Sequence, residues 1–143
     1  MDTKQTATVE LEDGTSFAFE LRPDKAPNTV ANFTKKAGSG FYNGLTFHRI
    51  VPGFVAQGGD PLGTGTGGGH QPTELNDLPF KKGAIGVARG GNIEISNDAQ
   101  FYVCTGDAPH LNGKYTNFGQ ITAGQDVVDG LKVGAKIKSI TVT

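Results

Sequence analysis

The chain has 143 residues, a length that favours one domain and allows one real core. Its 13 basic and 14 acidic residues nearly balance, which gives no electrostatic footprint for nucleic acid and no charged face for a membrane surface. Cys104 is the single cysteine, which excludes an internal disulfide and a cysteine-cluster zinc site. The polar, acidic start and the lack of a long apolar stretch predict a cytoplasmic protein, with a mature form that has lost an export signal as the alternative.

In chain order, Met1–Gln5 is expected to fray. Ala7, Val9 and Leu11 then alternate with Thr8, Glu10 and Glu12, and Phe17, Phe19 and Leu21 alternate again beyond Asp13-Gly14. The pattern predicts a β-hairpin closed by a two-residue type I′ turn. Ala26, Val30, Phe33 and Ala37 change to helical spacing, with Pro27 suited to a first turn and Gly38 and Gly40 to an end. An apolar strand follows over 47–57, turned by Pro52-Gly53. Further strands are predicted at 84–88, 100–105, 117–121 and 136–142, with a short helix presenting Val127, Val128 and Leu131 before the last. Many short strands without βαβ alternation point to a mainly β fold, an all-β barrel with helical plugs, in one domain over 1–143.

The glycine-rich stretch GGDPLGTGTGGG at 58–69 is not a phosphate loop, because His70, Gln71 and Pro72 follow it instead of Lys and Ser or Thr. It reads as a long surface loop that forms a wall or lid. His48, His70 and His110 have no metal-binding spacing; a site using Asp60 stays open, while His48 reads as structural. No GxSxG or comparable signature supports hydrolysis.

Arg49 is the unusual residue. It stands inside FHRIVPGFVAQGGD, the most apolar stretch of the chain. Strict alternation puts it on one face with Phe47 and Val51. On residue type alone it reads as a rim ion pair, and Phe54, Val55 and Leu111 as ordinary core. Gln100 and Tyr102 share one face of their strand, with Phe101 and Val103 on the other. One cation, two amides (Gln57 and Gln100) and several apolar groups suit a peptide groove and supply no nucleophile with a base.

FHRIVPGFVAQGGD, GTGTGG, AQFYVCT, LNGKYTNFGQI and the final Ile-Thr-Val strand, in this order from about Thr6 to the end, resemble the cyclophilins, in their compact prokaryote-like form. The resemblance implies a closed eight-stranded antiparallel β-barrel capped by two α-helices. It implies peptidyl-prolyl cis–trans isomerase activity on proline-containing peptides and folding proteins, without cofactor or metal. Arg49 would donate to the prolyl nitrogen, with Gln57 orienting it. Phe54, Val55, Tyr102 and Leu111 would form the proline pocket, and Gln100 the groove wall. The backbone of Ala88, Arg89 and Gly90 would hold the residue before proline, with His110 and Tyr115 at the rim.

Three departures stand out. His110 replaces a frequent Trp that strengthens cyclosporin binding, so weak cyclosporin binding is expected. Arg89 replaces a common Asn and opens an 89–99 loop that is longer than usual. Tyr102 replaces a frequent Phe, and its hydroxyl needs a partner. Besides the enzyme, a proline-peptide binding module and a general holdase are competing readings; a monomer is the default.

Overall fold

Residues 5–143 are described in a computed structural model of the chain. The first alternating segments form β1 (Gln5–Leu11) and β2 (Ser16–Leu21), antiparallel with Val9 opposite Phe17. Ala7, Val9, Leu11, Phe17, Phe19 and Leu21 are all buried, as alternation requires of a strand with one face on a core. Gln5, expected to fray, pairs with Leu21, while residues 1–4 lie outside the described residues.

The turn differs from the expected type I′. Leu11 N–H donates to the Thr15 carbonyl and Gly14 N–H to the Leu11 carbonyl, which makes Glu12, Asp13 and Gly14 a three-residue loop. Only Gly14 has a positive φ, 91°, whereas a type I′ turn needs one at both central residues. Asp13 instead uses its carboxylate to accept from the Thr15 N–H and hydroxyl at 2.9 and 2.6 Å.

Helix α1 (Pro27–Gly38) buries Thr29, Val30, Phe33 and Ala37. Ala26, at its N-cap position, has no side chain to hold the first amides. Glu74 does so from far along the chain, accepting from Asn28 N–H at 3.2 Å and Thr29 N–H at 2.7 Å. Its negative charge also faces the positive end of the helix dipole.

The remaining elements are β3 (Thr46–Val51), β4 (Val55–Gly58), β5 (His70–Pro72), β6 (Ala84–Arg89), β7 (Ile95–Cys104), β8 (Asn117–Ala123), α2 (Gln125–Asp129) and β9 (Ala135–Val142). The order around the sheet is β4-β3-β9-β1-β2-β8-β6-β7, and β7 pairs back onto β4. This is a closed antiparallel eight-stranded barrel, with β5 lying outside the ring against the start of β7. Closure removes the unpaired edges that an open sheet would expose.

The 89–99 segment is less of a loop than expected. β7 begins at Ile95, and Ser96 pairs with Arg89 on one side and Gln71 on the other. Ser96 is buried while Ile95 is 42% exposed, so hydrophobic alternation gives no sign of this strand. α2 is shorter than its apolar positions suggest; Leu131 is buried just beyond its end.

Inward-facing aromatic rings fill the barrel. Phe33 reaches from α1 to Phe19, Tyr42, Phe101 and Phe118 at centroid distances of 5.4 to 5.7 Å. Val128 and Leu131 join the same core from the second helical segment.

Candidate active site

A single register row crosses four neighbouring strands on the outer face of the barrel. Arg49 of β3 lies opposite Gln57 of β4, Gln57 opposite Tyr102 of β7, and Tyr102 opposite Gly86 of β6. Below this row is a second buried cluster, separate from the barrel core, that includes Val55, Phe80, Tyr102, Cys104 and Leu111.

Arg49 joins this row because of a bulge. Phe47 pairs with Gly58 and Arg49 with Gln57, so β3 carries one extra residue there, His48. Phe47 therefore points into the barrel core while Arg49 is exposed on the outside. Sharing a face with Phe47, as simple alternation predicts, is wrong for Arg49; sharing one with Val51 is right, since Val51 packs on the outer cluster and Ile50 on the inner. The guanidinium is thus not buried in an apolar strand. No carboxylate pairs with it among the described residues; its Nη1 donates to Gln57 Oε1 at 3.2 Å.

Next to Arg49 is a cavity of about 200 Å³. Phe54, Val55, Gln57, Ala88, Arg89, Tyr102, Leu111 and Tyr115 complete its lining. Phe54 comes from the tight turn between β3 and β4, held by its N–H to the Val51 carbonyl at 3.0 Å. Leu111 is presented by a 3₁₀ turn over Pro109–Leu111, which leaves His110 exposed with its ring stacked on Phe54 at 5.4 Å. Gly90 and Gln100 do not line this cavity. They belong to an adjoining recess of about 370 Å³ that shares Gln57, Ala88 and Arg89 with it.

Tyr102 forms the floor. Its ring stacks on Phe80 at 5.9 Å and meets Tyr115 edge-on at 6.2 Å. Gly86 makes this possible, because a Cβ there would lie within the Tyr102 phenol and against Phe80. The hydroxyl is enclosed without a hydrogen-bond partner among the described residues. Burial, with smaller contributions from Cys104 and Tyr115, pushes its pKa well above the ordinary phenol value. Burial likewise pushes the Cys104 thiol up to about 12, which keeps it protonated and unreactive.

Several contributors lack a sequence signal. Phe80 supports Tyr102 from a segment with no strand pattern. The Arg89 side chain, expected to matter only through its backbone, donates from Nε to the Lys114 carbonyl at 2.8 Å and lies 4.4 Å from the Tyr115 ring centroid. It ties the end of β6 to the 112–115 segment and forms the wall between the two recesses. Asp60, open as a metal ligand on sequence alone, has both oxygens occupied by backbone amides of the glycine loop.

The closed eight-stranded barrel that carries this recess is matched in known proteins. Residues 6–142 match the family described as "Cyclophilin type peptidyl-prolyl cis-trans isomerase/CLD". The chain belongs to this family. It is 46% identical over 136 residues to peptidyl-prolyl cis-trans isomerase B of Bacillus subtilis, covering 92% of this chain and 94% of that one. A peptidyl-prolyl cis-trans isomerase of Synechococcus elongatus is 44% identical over 140 residues, covering 95% and 94%. The crystal structure of a cyclophilin type peptidyl-prolyl cis-trans isomerase from Cryptosporidium parvum superimposes with a TM-score of 0.89 at 28% identity, covering 99% and 98%. The same Cryptosporidium protein, crystallised in the presence of the dipeptide Ala-Pro, gives a TM-score of 0.88 at 28% identity, covering 96% and 98%. The family's activity is rotation about X–Pro peptide bonds.

Proposed function

We propose that the 200 Å³ cavity receives the proline ring of an X–Pro segment and that Arg49 donates to the prolyl nitrogen as the bond twists. The barrier to rotation comes from amide resonance. Twisting returns a lone pair to the nitrogen, so a donor aimed there binds the twisted state better than either planar one, which is the differential that catalysis needs. Arginine stays charged and gives up no proton, so the step needs no base. Reaching a millisecond timescale from the unaided rate takes roughly five decades, or about 7 kcal/mol. One hydrogen bond to a charged group supplies about 1.5–3 kcal/mol. The remainder falls to the Phe54, Tyr102 and Leu111 walls, which exclude water and grip the ring.

The observation that carries this reading is the Arg49 guanidinium itself: exposed at the cavity, oriented by Gln57 and not neutralised by a carboxylate among the described residues. The Ala-Pro dipeptide used with the Cryptosporidium relative supports a proline-containing peptide as ligand. The adjoining recess, reached past Ala88 and Arg89, suits the residues preceding proline. Exposed X–Pro bonds of folding proteins are then the natural substrates. The reading needs no second subunit, and a monomer in the cytoplasm is the state proposed with it. Light scattering and cell fractionation test these two points.

Magnetisation-exchange NMR on an Ala-Pro-Phe peptide tests the central reading. Arg49→Ala is expected to slow exchange by about 10- to 150-fold, the equivalent of one charged hydrogen bond, with the fold intact. A loss under about threefold would remove Arg49 from the mechanism. Peptide binding without exchange in the parent protein would make the chain a binding module.

A further inference from the structure

Among the described residues, Asp60 is the one charged side chain that is buried, at 1% exposure. No cation pairs with it there. An unpaired carboxylate survives burial only when hydrogen bonds replace its water. Here the glycine loop curls around it: Leu62 N–H donates to Oδ1 at 2.9 Å, and the N–H groups of Thr64 (3.1 Å) and Gly65 donate to Oδ2. Gly67 closes the curl, because a Cβ there would collide with Oδ1.

The Gly67 carbonyl accepts from Asn97 Nδ2 at 2.9 Å and Gln100 Nε2 at 3.0 Å. Gln100 Oε1 accepts from Gln57 Nε2 at 2.9 Å, and Gln57 Oε1 accepts from Arg49 Nη1 at 3.2 Å. This chain has a direction. A carbonyl at one end can only accept and a guanidinium at the other can only donate. Both glutamine amides between them are therefore fixed in one orientation, with an oxygen facing Arg49. If the Gly67 carbonyl moves away, Gln100 and Gln57 can flip, and Arg49 meets an N–H group instead.

We propose that Asp60 is a positioning residue for the isomerase reaction: by holding the glycine loop so that the Gly67 carbonyl receives Gln100, it sets the direction of the amide chain and the aim of Arg49. This rests on Arg49 being the donor to the prolyl nitrogen. Asp60 touches no substrate and acts only through others.

The test is a double-mutant cycle with Asp60→Asn, Arg49→Ala and the combination, read as on-enzyme exchange rate and peptide Kd by NMR. Asp60→Asn keeps the shape but turns an NH₂ group toward the backbone donors. It is expected to slow exchange about tenfold with Kd changed less than about threefold, because aim and not grip is lost. In the Arg49→Ala background it should add less than about twofold, since residues acting through one another are non-additive. An equal loss in both backgrounds, or none in either, overturns the proposal while leaving Arg49 in place. A parent-like rate in Arg49→Ala overturns the Arg49 reading itself. Gly67→Ala is the second variant: it disturbs the same contact from the buried glycine facing Asp60, keeps the carboxylate, and is expected to give the same pattern. Should neither variant fold, Asp60 is a fold determinant without a separable role and the proposal fails.

Discussion

Tyr102→Phe should make the protein more stable and leave its turnover alone. The hydroxyl is enclosed over Gly86, without a hydrogen-bond partner among the described residues. Enclosing an unpartnered hydroxyl costs about 1–3 kcal/mol. Phenylalanine keeps the stack on Phe80 at 5.9 Å and the edge contact with Tyr115 at 6.2 Å. It leaves a void smaller than a methyl group, which costs less than about 1 kcal/mol. The net gain is about 1 kcal/mol, equivalent to a rise of about 3–4 °C in Tm for a chain of this size. Urea unfolding should show a higher midpoint at an unchanged m-value, the signature of altered stability and not of an altered denatured state. Turnover should stay within about twofold, because the enclosed hydroxyl does not reach the cavity proposed for the proline ring. A lower midpoint at the same m-value would refute the reasoning by showing that the hydroxyl is satisfied, as by a bound water.

Two further outcomes are expected. Glu74→Ala removes the carboxylate that caps α1 and leaves the Asn28 and Thr29 amides without it; urea unfolding should record a loss of about 1–2 kcal/mol, partly recovered by Glu74→Gln, and an unchanged midpoint would show that water caps the helix equally well. His110→Trp enlarges the apolar face that stacks on Phe54; titration calorimetry should find cyclosporin affinity raised at least about tenfold with Ala-Pro turnover changed less than about threefold, whereas unchanged affinity would show that position 110 does not set it.

The barrel was largely readable because its inward positions obey simple rules. Val9, Phe17, Phe19, Phe101 and Val103 alternate with residues of the other face, and each joins the barrel core where period two puts it. Gln100 and Tyr102 fall on the opposite face for the same reason. Arg49 shows where the rule stops. Its face depends on a count across two strands, one extra residue in β3 against β4, and no inspection of β3 alone contains that count. The α1 cap fails to show for a related reason. Ala26 announces that the helix lacks a local cap, but Glu74 is 45 residues from Thr29, and only the closed fold brings it there. Ser96 is illegible in another way: a buried serine beside an exposed isoleucine inverts the hydrophobic signal, and its hydroxyl is satisfied by Thr73.

These gaps share a cause that bears on the chemistry. Arg49 and Gln57 lie on β3 and β4, while Gln100 and Tyr102 lie on β7, and the β4–β7 pairing is the one that closes the barrel. The Gln57–Gln100 hydrogen bond spans 43 residues across that seam. An open sheet of the same strands would keep Arg49 beside Gln57 but lose the acceptor that fixes the Gln57 amide. Catalysis that moves no proton and forms no covalent bond depends on aim more than on reactivity. With Arg49 as the proposed donor on one side of the closing seam and Gln100 on the other, that aim becomes a property of the completed barrel. That is why the family resemblance can nominate the residues, while their arrangement appears only once the last pair of strands has met.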